Sequence, residues 1–111
     1  MVEYTVTLDS AFSSLADATR RDILSRVARS ELSVSEIAQP YALTFAAVSK
    51  HLMVLEKAKL IIKRRQGKQQ YVRLAPAAFK DVESYLQQYA EVLGSRIEAL
   101  DNYLKEDSWE K

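Results

Sequence analysis

The chain has 111 residues, of which 48% are hydrophobic and 28% charged, with 16 Lys and Arg against 15 Asp and Glu. This is the composition of one small globular domain with a modest core, and no apolar run nears the ~20 residues that span a bilayer. Cysteine is absent and His51 is the one histidine, which excludes a disulfide framework, a thiolate metal site and an imidazole cage within one subunit, while the acidic, alternating start MVEYTVTLD is unlike a secretion signal and points to a cytoplasmic protein.

Apolar residues at Leu8, Phe12 and Leu15, spaced four and three, predict a short first helix from about Leu8 to Ala16. Asp17 stands where its carboxylate can cap a second helix over ATRRDILSRVARS. Ile23, Leu24, Val27 and Ala28 form the buried stripe of that helix. Arg20 and Arg21 lie off the stripe and are expected to pair with acids at the same helix. Ser30-Glu31-Leu32 reads as a loop. Ser33 and Glu36 make a capping box for a third helix, Val34 to about Gln39, which Pro40 ends. After a tight Tyr41-Ala42-Leu43 connection, Thr44 is a further cap. It opens a fourth helix from Phe45 to about Ala58, with Val48, Leu52 and Leu55 inward and Ala47, Ser49, Lys50 and Met53 on the other face.

Periodicity then changes. Leu60 to Arg65 and Gln69 to Leu74 are strand-like, joined through Gln66-Gly67-Lys68 into a hairpin. Pro76 is tolerated at a helix start. From Ala77 to about Leu104 the apolar positions Phe79, Val82, Leu86, Tyr89, Leu93, Ile97, Leu100 and Leu104 predict one long helix, which Gly94 weakens by only about 1 kcal/mol.

Charge is unevenly spread. Thr44 to Arg73 holds eight cations against Glu56 alone, a net of +7, while residues 1–19 carry −3, residues 20–43 carry +1 and residues 74–111 carry −4. Seven cations follow one another from Lys57 to Arg73 without an acid between them, which favours a polyanionic partner. Two short helices joined by a tight turn, then a basic two-stranded ribbon, describe a mainly α winged helix-turn-helix. Its element order is four helices, two strands and a final helix, in a single domain over 1–111. In such a fold the second helix of the pair enters the major groove of double-stranded DNA, where its N-terminal turns meet base edges. Ala46 and Ala47 let the backbone approach closely, and Thr44, Ser49 and Lys50 offer donors and acceptors. His51 either reaches DNA or lies half-buried in the helix. Arg64, Arg65, Lys68 and Gln69 are expected at the phosphate backbone or the minor groove. Catalytic motifs are missing: the only glycines are Gly67 and Gly94, there is no GxSxG or HExxH, and Asp81 and Glu83 read as a solvated helix face. Neither enzymatic activity nor a cofactor is expected.

The blocks LADATRRDILSRV, ELSVSEIA, AVSKHLMVLEKAKLI and RRQGKQQYVRL resemble, in order, those of the ArsR family of small dimeric winged-helix repressors, from about Leu8 to Leu74. The resemblance implies a homodimer that represses transcription at an operator, and it carries recognition-helix roles to Thr44, Phe45, Ala47, Ser49, Lys50 and His51. Members that sense metals on the third helix carry Cys-Val-Cys where this chain has Ser33-Val34-Ser35, and serine is a poor soft-metal ligand. Members that sense zinc on the last helix use histidines with acids, and here that helix has no histidine. No metal site is therefore expected, which leaves a small molecule, a protein or no effector at all. Ala18 and Ala42 stand where the family often has Pro and Gly; a positive φ at Ala42 costs on the order of 1 kcal/mol.

The last helix argues for two copies. About 28 residues give roughly 42 Å of helix, against a diameter of roughly 35 Å for a domain of ~100 residues. Its apolar stripe exceeds what one small core covers, and such stripes mark partner surfaces. Residues 76–106 are expected to form a dimerisation helix through Val82, Leu86, Tyr89, Leu93, Ile97 and Leu100, joined by Phe12. A two-fold dimer presents its recognition helices ~34–36 Å apart, which predicts an inverted-repeat operator. The alternative is a winged-helix module whose fourth helix binds a protein; binding that ignores salt separates it from DNA recognition.

Overall fold

The computed structural model describes residues 2–109, with side chains for residues 8–105. In chain order it contains α1 (Val2–Leu15), α2 (Ala18–Arg29), β1 (Leu32–Ser33), α3 (Val34–Ala38), α4 (Phe45–Lys57), β2 (Ile61–Gln66), β3 (Gln69–Leu74) and α5 (Pro76–Trp109). The three strands form one antiparallel sheet in the order β1-β3-β2. The chain divides into two units, one up to Asp81 and the other from Val82 on.

The core of the first unit follows the helical stripes. Ile23, Leu24 and Val27 of α2, Ile37 of α3, and Val48, Leu52 and Leu55 of α4 are buried, together with Leu60, Ile61 and Val72 at the base of the sheet. Each fully buried aliphatic side chain contributes about 1.5–3 kcal/mol. Ala28, expected on the α2 stripe, is exposed. Helix α1 is turned by about one residue from its expected face: Leu8, Ala11 and Ser14 are buried while Phe12 is 39% exposed. Ala11 and Ser14 are small, so burying them lets neighbouring backbone approach where Phe12 would hold it off.

Each expected cap is present. The Asp17 carboxylate accepts the Arg20 amide at 3.0 Å, and Ser33 Oγ accepts from Glu36 N–H while Glu36 accepts from Ser33 N–H. These bonds favour the ionised acids and hold the carboxyls of both Asp17 and Glu36 below their ordinary range. Arg20 and Arg21 donate to backbone carbonyls, and the Arg20 charge also helps to hold Asp17, the acid that caps α2, in its ionised form. Arg20 donates to Ser13 O and Ser14 O, and Arg21 to Leu15 O, so they satisfy the orphan carbonyls at the end of α1. Arg26 does the same for α3, donating to Glu36 O and Ile37 O at 2.8 Å. It also lies over the Tyr41 ring, whose hydroxyl donates to Asp22. The turn between α3 and α4 is thereby anchored to α2.

Two local expectations are corrected, and one condition is answered. Leu32 belongs to a short strand, pairing with Val72 while Ser33 pairs with Tyr71, and this gives β3 a partner on its second edge. Gln66 pairs with Gln69, so the hairpin loop is the two residues Gly67 and Lys68. Gly67 has φ +64 and Lys68 is not left-handed, the φ signs of a type II′ turn. Ala42 has no positive φ; among the described non-glycine residues Lys59 alone does, at +61.

From Glu83 to Lys105, α5 is exposed almost throughout. Leu86, Tyr89, Val92, Leu93, Ile97, Leu100, Tyr103 and Leu104 are each about half or more exposed. Val82, expected in the same partner surface, is only 9% exposed. It therefore has little area to offer a second chain. No helix of the described residues is long and apolar enough to cross a membrane.

Candidate nucleic-acid interface

Helix α4 owes its orientation to its stripe. With Val48, Leu52 and Leu55 buried, the opposite face is left open: Phe45 is 61% exposed, Ala46 and Lys50 are exposed, and Ala47 and Ser49 are half-buried. Thr44 Oγ1 accepts the Ala47 amide at 3.1 Å and fixes the first turn. The Thr44 hydroxyl hydrogen is still available for donation.

The hairpin faces this surface across a groove of about 280 Å³. Phe45 and Ser49 line it from α4 and Val34 and Ser35 from the start of α3, with Lys63, Arg65, Lys68, Gln69 and Gln70 opposite. No acid lines it. Of the residues expected to meet DNA, the groove brings together Phe45, Ser49, Arg65, Lys68 and Gln69; Thr44, Ala47 and Lys50 belong to the same two turns of α4.

Two expected contacts lie elsewhere. Side chains alternate along a strand, so Lys63 and Arg65 share one face of β2 and Arg64 takes the other. There Arg64 binds both carboxylate oxygens of Glu31 through one guanidinium edge, Nε at 2.9 Å and Nη2 at 2.6 Å, while Nη1 donates to Gln66 at 2.7 Å and the guanidinium stacks 4.8 Å from the Tyr71 ring centroid. The pair holds the Glu31 carboxyl below its ordinary range and raises Arg64. Every guanidinium nitrogen of Arg64 is engaged. His51 is half-buried on the far side of α4, with Nδ1 3.4 Å from Arg20 Nη1 and 3.9 Å from Asp17 Oδ2. Of the two roles open to His51, the structure favours the half-buried one. Lys63, which sequence reasoning passed over, was readable from the same alternation: it stands two residues before Arg65. Glu31 gave no such signal, because its role depends on a partner 33 residues away.

A family model described as a helix-turn-helix domain matches residues 15–64. The chain is 36% identical over 81 residues to the HTH-type transcriptional regulator Rv2034 of Mycobacterium tuberculosis, covering 73% of this chain and 76% of that protein. It is 35% identical over 81 residues to the transcriptional repressor SmtB homolog of Synechocystis, covering 69% of this chain and 61% of the relative. A crystal structure of the ArsR family transcriptional regulator RHA00566 superposes with a TM-score of 0.75 at 32% identity, over 82% of this chain and 94% of that one. The chain belongs to the ArsR family. Its fold is thus the winged helix-turn-helix of ArsR-family transcriptional regulators, with α3 and α4 as the helix pair and the β2–β3 hairpin as the wing. Mb0332 from Mycobacterium bovis, described as the homodimeric winged helix-turn-helix DNA-binding domain of a possible ArsR-family transcriptional regulator, superposes with a TM-score of 0.61 at 26% identity, over 81% of each chain. Among the described residues of this ArsR-family chain, no three His, Asp or Glu side chains are grouped to hold a metal ion.

Proposed function

We propose that this ArsR-family chain is a cytoplasmic transcriptional repressor that binds an inverted-repeat operator as a homodimer. The observation that carries the proposal is the groove, lined by no acid, in which the open face of α4 meets Arg65 and Lys68 of the hairpin, beside Lys63, which Glu56 pairs at 3.5 Å. In this mechanism α4 enters the major groove of B-DNA with Phe45, Ala47, Ser49 and Lys50 toward the bases. Thr44 donates its hydroxyl hydrogen to a phosphate while capping α4, and Arg65, Lys68 and Gln69 follow the backbone. Arg64 and His51 act as positioning residues. Arg64 holds the wing through Glu31, and His51 joins the base of α4 to Asp17 and Arg20. Two copies are supported by the exposed stripe Leu86, Tyr89, Leu93, Ile97 and Leu100 and by the homodimeric relative from Mycobacterium bovis. Release from DNA, where it occurs, is assigned to a small molecule or a protein.

Fluorescence anisotropy on duplexes from the gene's own upstream region, measured across a salt series, tests the proposal. Neutralising even four phosphates gives a slope of about −3.6 in log affinity against log salt. Lys50→Ala lowers affinity and relaxes base preference while leaving the dimer intact. A slope near zero overturns DNA recognition in favour of a protein-binding module.

A further inference from the structure

The first turn of α4 is Phe45-Ala46-Ala47, and none of these side chains can donate or accept a hydrogen bond. Thr44, just before them, already accepts the Ala47 amide. The part of a recognition helix that reaches base edges first is therefore apolar here, and its outermost feature is the Phe45 ring, 61% exposed, with Leu43 at 43% beside it in sequence. A lone exposed aromatic needs no explanation on an ordinary surface. This ring, however, lines the groove opposite Arg65 and Lys68. An apolar peptide would give those cations no anion to pair with, whereas a polyanion with an apolar feature between its phosphates matches both. The major groove of DNA has one such feature on its base edges, the C5-methyl group of thymine.

We infer that Phe45 is a specificity-determining residue that packs against a thymine methyl group in each operator half-site. The inference rests on the DNA-binding proposal above. Polar readout then falls to Ser49 and Lys50, one turn further along α4. Burying one methyl group on the ring contributes about fourfold in affinity, equivalent to ~0.8 kcal/mol, and two half-sites together contribute about fifteenfold.

The test uses the full chain and a duplex recovered by selecting randomised oligonucleotides against it. The duplex is synthesised with thymine and again with uracil at every thymine position, which removes only the methyl groups. The thymine duplex is expected to bind about fifteenfold more tightly. Replacing thymines singly should locate the sensitivity at one position in each half-site. Phe45→Ala should bring the ratio of the two affinities to about one, and Phe45→Leu, which keeps an apolar surface, should retain part of it. Phe45 is exposed enough that the circular dichroism of either variant should be unchanged. Equal affinity of the wild-type chain for the two duplexes overturns the inference and leaves DNA binding standing. So does a ratio that survives Phe45→Ala, since the methyl is then read elsewhere. Recovery of no duplex at any salt overturns the DNA-binding proposal, and this inference with it.

Discussion

Lys59 holds the one left-handed backbone among the described non-glycine residues, with φ +61. Its position explains it. Lys59 N–H donates to Glu56 O and Leu60 N–H to Leu55 O, both at 3.0 Å, which is the paired-bond pattern that closes a helix with a left-handed residue. Leu55 and Leu60 are both fully buried, so the apolar contact that accompanies the pattern turns the chain directly from α4 into β2. Glycine is the usual residue at such a site because a Cβ there is strained by about 1–2 kcal/mol. Lys59→Gly is expected to raise the free energy of unfolding by about 1 kcal/mol, part of the relief being offset by the freer unfolded chain. Urea denaturation checks it, and a fall in the midpoint contradicts this account of the turn. The sequence gives no sign of this strain: the family's frequent glycine corresponds to Ala42, which has no positive φ, and not to Lys59.

At the scale of elements, the wing is held from both sides. Backbone pairing joins β3 to β1, and the Arg64–Glu31 pair joins β2 to the residue just before β1. Since β1 runs straight into the Ser33 cap of α3, the wing and the helix pair share one support. The pH sign follows from the depressed Glu31 carboxyl. Its contribution to stability is present in full above the unfolded value of about 4.3 and is lost as acid protonates it below that. Glu31→Gln is therefore expected to lower the melting temperature at neutral pH, with the gap to the wild type closing as pH falls through the carboxylate range. A gap that stays constant with pH would show that the charge pairing is not what holds the wing. The helices, the hairpin and the caps were legible in the sequence because each rests on local chemistry: a stripe of period 3.6, an alternation of period 2, or a carboxylate or hydroxyl three residues before an open amide. What escaped was non-local or rotational. The strand at Leu32 is too short to show a period. The α1 face turns on packing that favours Ala11 over Phe12. Arg64 and Arg65 look equivalent as neighbours until the strand sends them to opposite faces.

For the whole molecule, the question is what covers α5. Its 34 residues make a helix of about 51 Å. Beyond Val82 it keeps an apolar series exposed at a spacing of three and four: Leu86, Tyr89, Leu93, Ile97, Leu100 and Leu104. A stripe this long on a chain of this size is the feature expected of a helix that packs against its own copy, because a two-fold contact buries the same surface twice. Leu93→Asp puts a charge in the middle of the stripe, at a residue 55% exposed in the single chain. It should leave the fold of the first unit intact, with an unchanged far-ultraviolet spectrum, while sedimentation velocity finds monomers. Operator affinity should fall by roughly 10²–10⁴-fold, because the second half-site is no longer held at high local concentration once the first is bound. Lys50→Ala should show the converse, an intact dimer with weakened DNA contacts, so the two variants separate assembly from recognition. If Leu93→Asp remained dimeric, the stripe would not be the interface. If it became monomeric yet bound the full operator as tightly as the wild type, DNA recognition would not depend on pairing.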